Sequence, residues 1–308
     1  MANLPGNARF AFTVFDDTDG STVENVEPVY RFLAEIGLRT TKSVWPLASQ
    51  PSAKIGGSTL ADRDYLAFVR RLQQNGFEIG LHNVRNDDAL RAMVIDGFNR
   101  FEDSLQTTPR THCNHDRNRE NLYWGPNRLE TLPVRFAYNL STRFKYQRSF
   151  EGHVEDSPYF WGDICHDRIT YVRNFVFDEI NLLRLNPTLP YHDPKRPFVN
   201  FWFSSTEGAT VNKFCELLSE PNQDRLAEEG GVCIMYTHFS AGFFQNRELN
   251  PIFKRLMLRI AKMNGWFVPV ATLLDYLRQK QETSVISSAE LSRMEKRWLL
   301  SKLIKGTT

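Results

Sequence analysis

Two adjacent aspartates, Asp16-Asp17, follow the apolar run Arg9-Phe10-Ala11-Phe12-Thr13-Val14-Phe15, and histidines recur in comparable places. His82 follows Phe77-Glu78-Ile79-Gly80-Leu81, His112-x-x-His115 ends a short run beginning at Pro109, and His238 follows Val232-Cys233-Ile234-Met235-Tyr236-Thr237. These positions use four of the 7 histidines in the chain. An aspartate with two neutral histidines is a mixed oxygen and nitrogen set suited to Zn²⁺ or a similar divalent ion, with positions left for water and substrate. Such an ion polarises an amide carbonyl and lowers the pKa of bound water toward ~7. A second carboxylate, off the metal, can take the water's proton. A histidine across the site, with a reference pKa of ~6.5, can protonate the departing nitrogen. Adjacent aspartates can divide such tasks only if the backbone turns between them, which Thr18 and Gly20 permit.

Each feature also has a plainer reading. Acidic clusters at strand ends often serve turns or helix caps, and Asp19-Gly20-Ser21-Thr22 could do that alone. A lone histidine after a strand is more often structural, and one of His112 and His115 could make only a local hydrogen bond. Position is what unites them. In parallel α/β sheets and barrels, chemistry gathers at the carboxyl ends of the strands.

The elements that must deliver these residues alternate. The spacing predicts strands over 9–15, 40–45, 77–81 and 109–113, with helices over 26–36, 62–75 and 88–105 between them. The rhythm returns with a strand over 232–236, a helix over 251–263, a strand over 266–270 and a helix over 271–279. Strand and helix in alternation imply parallel strands with right-handed crossovers, an α/β fold. Between about 120 and 230 the periodicity is poor and aromatic residues, Asn and Pro accumulate, with Val199-Asn200-Phe201-Trp202-Phe203 as the one clear strand. No internal repeat is present. One domain over 1–280 is therefore expected, with an irregular insertion at about 120–230 and a C-terminal helix within 281–308. That helix opens with the capping box Ser287-x-x-Glu290 and carries an apolar stripe beside Arg293, Lys296, Arg297, Lys302 and Lys305. It reads as docked on the body, with peripheral membrane or protein contact as the second reading.

Composition narrows the class. With 308 residues, 41% hydrophobic and 24% charged, the chain can bury a large core, which excludes disorder and disulfide-stapled miniproteins. A net charge of +2 from 38 basic and 36 acidic residues, with the basic ones dispersed, argues against a nucleic-acid partner. Four cysteines without Cys-x-x-Cys spacing and an N-terminus without an apolar segment lead to an expected cytoplasmic location with reduced thiols. No dinucleotide fingerprint, P-loop or Gly-x-Ser-x-Gly elbow occurs.

Val14-Phe15-Asp16-Asp17 with Gly20 resembles the first motif of the polysaccharide deacetylases, the carbohydrate esterase family 4 or NodB-homology domain. Gly76-Phe77-Glu78-Ile79-Gly80-Leu81-His82 is similar to its second motif and Ile234-Met235-Tyr236-Thr237-His238 to its last, and the stretch from Gly265 to Leu277 resembles the end of that domain. The resemblance covers roughly 9–115 and 230–278. It implies a deformed (β/α) barrel holding one divalent metal ion, with Asp16 as general base, Asp17 and His82 as metal ligands and His238 as general acid. Two departures stand out. The second histidine of the second motif is Asn86 here, and the Arg-Pro of the third motif is replaced by Thr111-His112-Cys113-Asn114-His115. Read together, they suggest that the neighbouring strand end replaces the lost ligand, with His115 preferred over His112. The expected activity is metal-dependent N-deacetylation of an amino-sugar derivative in bacterial surface-polysaccharide synthesis. The competing expectation is a barrel that binds glycan without cleaving it.

Overall fold

A computed structural model describes residues 4–50, 55–146 and 149–305. Seven parallel strands close into a barrel: β1 (Phe10–Asp16), β2 (Thr41–Val44), β3 (Glu78–His82), β4 (Thr111–Cys113), β5 (Tyr171–Phe177), β6 (Phe201–Thr206) and β7 (Val232–Thr237). Closure comes from β1, whose Ala11–Asp16 pair in register with Val232–Thr237. The other edge of β1 is shared, with Phe15 and Asp16 pairing to β2 and Phe10 and Ala11 to a short strand at Gly265–Trp266. Every residue of β1 is buried, as a near-continuous apolar strand enclosed on both faces should be.

Helices cover the outside: α1 (Val23–Glu35), α2 (Arg63–Gln74), α3 (Arg91–Leu105), α4 (Leu132–Ser141), α5 (Gly162–Arg168), α6 (Val211–Leu217), α7 (Glu220–Glu228), α8 (Pro251–Ala261), α9 (Val270–Gln279) and α10 (Ser288–Lys305). Thr22 caps α1 through a reciprocal pair of hydrogen bonds with Asn25, which starts the helix directly after the turn that leaves β1. Gly80 lets β3 and β4 approach, since a Cβ there would lie 2.4 Å from Thr111 Oγ1.

The span expected to be an irregular insertion supplies two barrel strands, β5 and β6. In β5 the pair Arg173-Asn174 interrupts the apolar run, which hides the strand from a periodicity reading although all seven residues are buried. The C-terminal helix α10 docks on this region. Trp298 packs against Phe175 of β5 and Tyr138 of α4, with ring centroids 5.7 and 5.6 Å away. Asp178, just past β5, receives Ser301 Oγ at 2.6 Å and Lys305 Nζ at 2.7 Å. Leu300, Leu303 and Ile304 on its other side remain exposed. No helix among the described residues is long and apolar enough to cross a membrane, and all four cysteines are free.

Candidate metal centre

Beyond Asp16 the chain turns sharply. The Asp17 N–H donates to the Thr237 carbonyl at 2.8 Å, that of Gly20 to Gly56 at 2.7 Å and that of Ser21 to Thr18 at 2.9 Å. Gly20 sits at φ +65° with Ser240 Oγ 3.2 Å from where a Cβ would stand, so the turn calls for glycine there. Three carboxylates in four residues consequently point three ways.

Asp16 belongs to the barrel interior. Its Oδ2 meets Lys42 Nζ at 2.9 Å and accepts from Tyr30 Oη at 2.8 Å, and its Oδ1 accepts the Phe239 N–H at 2.8 Å. Burial pushes its pKa up, opposed by Lys42, its register partner on β2. The expected general base thus has both oxygens engaged away from the histidines.

Asp17, the expected metal ligand, forms a two-pronged pair with Arg173, with Nη1–Oδ1 at 2.8 Å and Nη2–Oδ2 at 2.5 Å. The guanidinium lies 4.4 Å above the Tyr236 ring. Burial opposes the charge on Asp17, but Arg173 and then His82 outweigh it and hold the carboxyl below its ordinary value. His82 Nε2 is 3.8 Å away.

The histidines converge on Asp19. Its Oδ2 lies 2.9 Å from His82 Nε2 and 3.4 Å from His238 Nε2, and its Oδ1 lies 2.7 Å from His115 Nε2. Against the cost of burial these imidazoles, His82 foremost, hold the Asp19 carboxyl well below its usual range. Even so, Oδ2 is buried and takes no properly directed hydrogen bond. The far nitrogens of both ligand-type histidines are occupied. His82 Nδ1 is 2.8 Å from Cys113 Sγ and 3.3 Å from its carbonyl, and His115 Nδ1 is 3.2 Å from Asn118 Oδ1. Those acceptors turn each Nδ1 away from the cluster and aim each Nε2 at Asp19, where His115 Nε2 donates to Oδ1 and an incoming cation would take the place of that proton. His238 donates through Nδ1 to the Ala209 carbonyl at 2.9 Å. Burial works against its charge, but Asp19 and Asp17 prevail and push it up to about 9.

Among the described residues, three overlapping sets have candidate ligand atoms within 4.8 Å of one another: Asp19 with His82 and His115, Asp17 with Asp19 and His238, and Asp17 with His82 and Cys113. Cys113 fits least, since burial and then Asp17 hold its thiol well above its ordinary value. His112 is not part of the cluster. It is wholly buried against Trp161, 5.1 Å between ring centroids, and burial pushes it down to about 3. Asn86 serves the loop, with its N–H on Ser49 Oγ at 3.1 Å and its amide on the Ile55 carbonyl.

Two members escape the sequence reading. Asp19 looks like a cap, although it is the third carboxylate of one turn. Arg173 looks like scatter, although a single arginine inside Tyr171-Val172-Arg173-Asn174-Phe175 is the signal a buried ion pair leaves. The cluster opens into a cavity of about 390 Å³, a volume typical of a small-molecule site. Its outer wall includes Trp124, Arg128, Tyr138 and Tyr146 from the 120–150 region and Trp298 and Lys302 from α10.

No protein-family model matches the chain, and no curated protein matches it significantly in sequence. Solved structures do match. A protein assigned as a polysaccharide deacetylase from Mycobacterium smegmatis superposes with a TM-score of 0.51 at 12% identity, over 93% of this chain and 96% of its own. An allantoinase superposes with a TM-score of 0.54 at 11% identity, over 90% and 93%. At such identities the likeness is one of fold: a closed parallel barrel shared with a deacetylase and an allantoinase.

Proposed function

We propose that the protein is a metal-dependent hydrolase that removes an acyl group from the nitrogen of an amino-sugar derivative, a precursor of bacterial surface polysaccharide. In this reading Asp19, His82 and His115 hold one divalent ion, and their oxygen and nitrogen donors suit Zn²⁺. The observation that carries it is Asp19 Oδ2, a buried carboxylate oxygen without a hydrogen bond, faced by imidazole nitrogens whose opposite sides are tied back. Buried polar atoms normally find partners, so an unmatched carboxylate oxygen beside imidazole nitrogens suits a cation.

When bound, the ion would polarise the acyl carbonyl and make water acidic enough to lose a proton near neutral pH. Asp17 is then the general base. Arg173 keeps it ionised and fixes the plane of its carboxylate, so that it accepts a proton rather than swinging onto the metal. His238, protonated and anchored through Nδ1, presents Nε2 to the departing amine. Relative to the sequence expectation, both carboxylate roles move along the turn: the base from Asp16 to Asp17 and the ligand from Asp17 to Asp19. Asp16 supports the turn from within through Lys42. The aromatic wall offers flat faces against which a sugar ring can pack.

The test is elemental analysis of protein purified without chelator, together with acetate release from N-acetylated amino sugars. About one Zn²⁺ per chain and metal-dependent release are expected. A folded protein that takes up no metal after added Zn²⁺ or Co²⁺ would instead favour a glycan-binding barrel without catalysis.

A further inference from the structure

Arginine is almost never fully buried unless paired. Four arginines here are 6% exposed or less: Arg85, Arg128, Arg173 and Arg196. Three of them have carboxylate partners, namely Asp87 for Arg85, Asp17 for Arg173 and Asp193 for Arg196. Arg128 does not. Among the described residues its guanidinium makes no ion pair and no hydrogen bond, and its Nε is buried without a partner.

Aromatic rings, not acids, surround it. The guanidinium carbon lies 3.6 Å from the Trp124 ring centroid, 4.8 Å from that of Trp298 and 5.9 Å from that of Phe175. Ring faces attract a cation, yet they leave its in-plane N–H donors unmet. Arg173 and Arg196 repel Arg128, and burial, followed by Arg128 itself, pulls Lys302 down to about 8 against the opposing charge of Glu207. Trp124, Arg128, Trp298 and Lys302 all line the cavity that also contains Asp17, Asp19 and the histidines.

We infer that Arg128, clamped between Trp124 and Trp298 and assisted by Lys302, is the centre of an oxyanion subsite in this cavity, so that the substrate carries a carboxylate or phosphate besides its acylated nitrogen. A guanidinium fork matches either group with two parallel N–H···O bonds. The cation lacks its counter-ion because the ligand brings it. The statement about substrate rests on the proposed hydrolase reading, whereas the anion site does not.

The experiment titrates inorganic phosphate, and separately acetate, into chelator-stripped, metal-free protein, read by tryptophan fluorescence and thermal melting. At least one anion should quench the fluorescence and raise Tm saturably at millimolar concentration, and the stronger of the two separates a phosphorylated substrate from an acidic sugar. Arg128→Gln should melt no lower than wild type without anion, and should weaken binding at least about tenfold. No saturable response to either anion, or equal affinity in folded Arg128→Gln, overturns the inference. Should Arg128→Gln fail to fold, Lys302→Gln decides: several-fold weaker binding supports the subsite and unchanged binding overturns it. Because metal is absent, the two proposals fail separately. Anion binding without Zn²⁺ uptake removes only the hydrolase, and Zn²⁺-dependent release of acetate without anion binding removes only the subsite.

Discussion

At the scale of single residues, the turn after β1 makes three carboxylates do different things by giving each a different neighbour. Substitution should separate them. Asp19→Asn should lose bound metal, measured by elemental analysis, and turnover with it. Asp17→Asn should keep the metal and lose turnover by about 10²–10⁴-fold, the usual worth of a positioned general base. Asp16→Asn removes one half of a buried ion pair and leaves the Lys42 ammonium uncompensated, which costs about 3–5 kcal/mol, so its mark should be a lowered Tm in thermal denaturation. An Asp16→Asn protein with wild-type Tm and no activity would return the base to Asp16. The histidines are legible in the sequence because each directly follows an apolar run and strand ends share a rim. The directions of the carboxylates are not, because each depends on a few backbone angles within the turn.

At the scale of elements, α10 shapes the site by holding α4. The Glu295 carboxylate, buried in α10, accepts the Glu130 N–H at 2.5 Å and the Thr131 N–H at 2.8 Å, so one helix caps the start of the other. Glu295→Ala should strand two backbone donors and cost about 2 kcal/mol, a fall in Tm of several degrees, measurable by calorimetry. It should also loosen Tyr138 and Trp298 and raise KM more than it lowers kcat. The strands β1 and β7 can be read in the sequence because strands covered on both faces are nearly continuous in apolar residues. The middle of the chain cannot be read that way. In β5 the arginine that neutralises Asp17 sits inside the strand, and α4 displays Leu132, Phe136 and Leu140 to solvent, which blurs the pattern of a half-buried helix. The buried arginine is what erases the structural signature.

At the scale of the whole molecule, charge has been enclosed around one cavity, and the fold must tolerate acid accordingly. Two histidines outside the cluster, His112 buried and His153 half-buried, contribute to the response. Burial, helped by Arg196, pushes His153 down to about 4, and its Nδ1 accepts the Tyr123 N–H at 3.2 Å, which requires the neutral ring. His112 is held down to about 3 by burial. Each folded-state pKa lies below the value of ~6.5 in the unfolded chain, so each histidine binds its proton more readily after unfolding. The neutral forms therefore contribute stability that is complete above about pH 6.5 and is lost as pH falls toward the folded-state values. For His153, a shift from 6.5 to about 4 corresponds to about 3 kcal/mol across that window. Burial raises Glu120 to about 7, and its contribution grows over the same fall in pH, so the loss is read by difference. In chemical denaturation of metal-free protein between pH 7 and pH 4, the stability of His153→Gln should change with a slope one proton's worth more favourable than that of wild type, while His112 continues to contribute. A His153→Gln protein whose stability varies with pH as that of wild type does would mean that the ring is already protonated in the fold, with the Tyr123 N–H turned elsewhere.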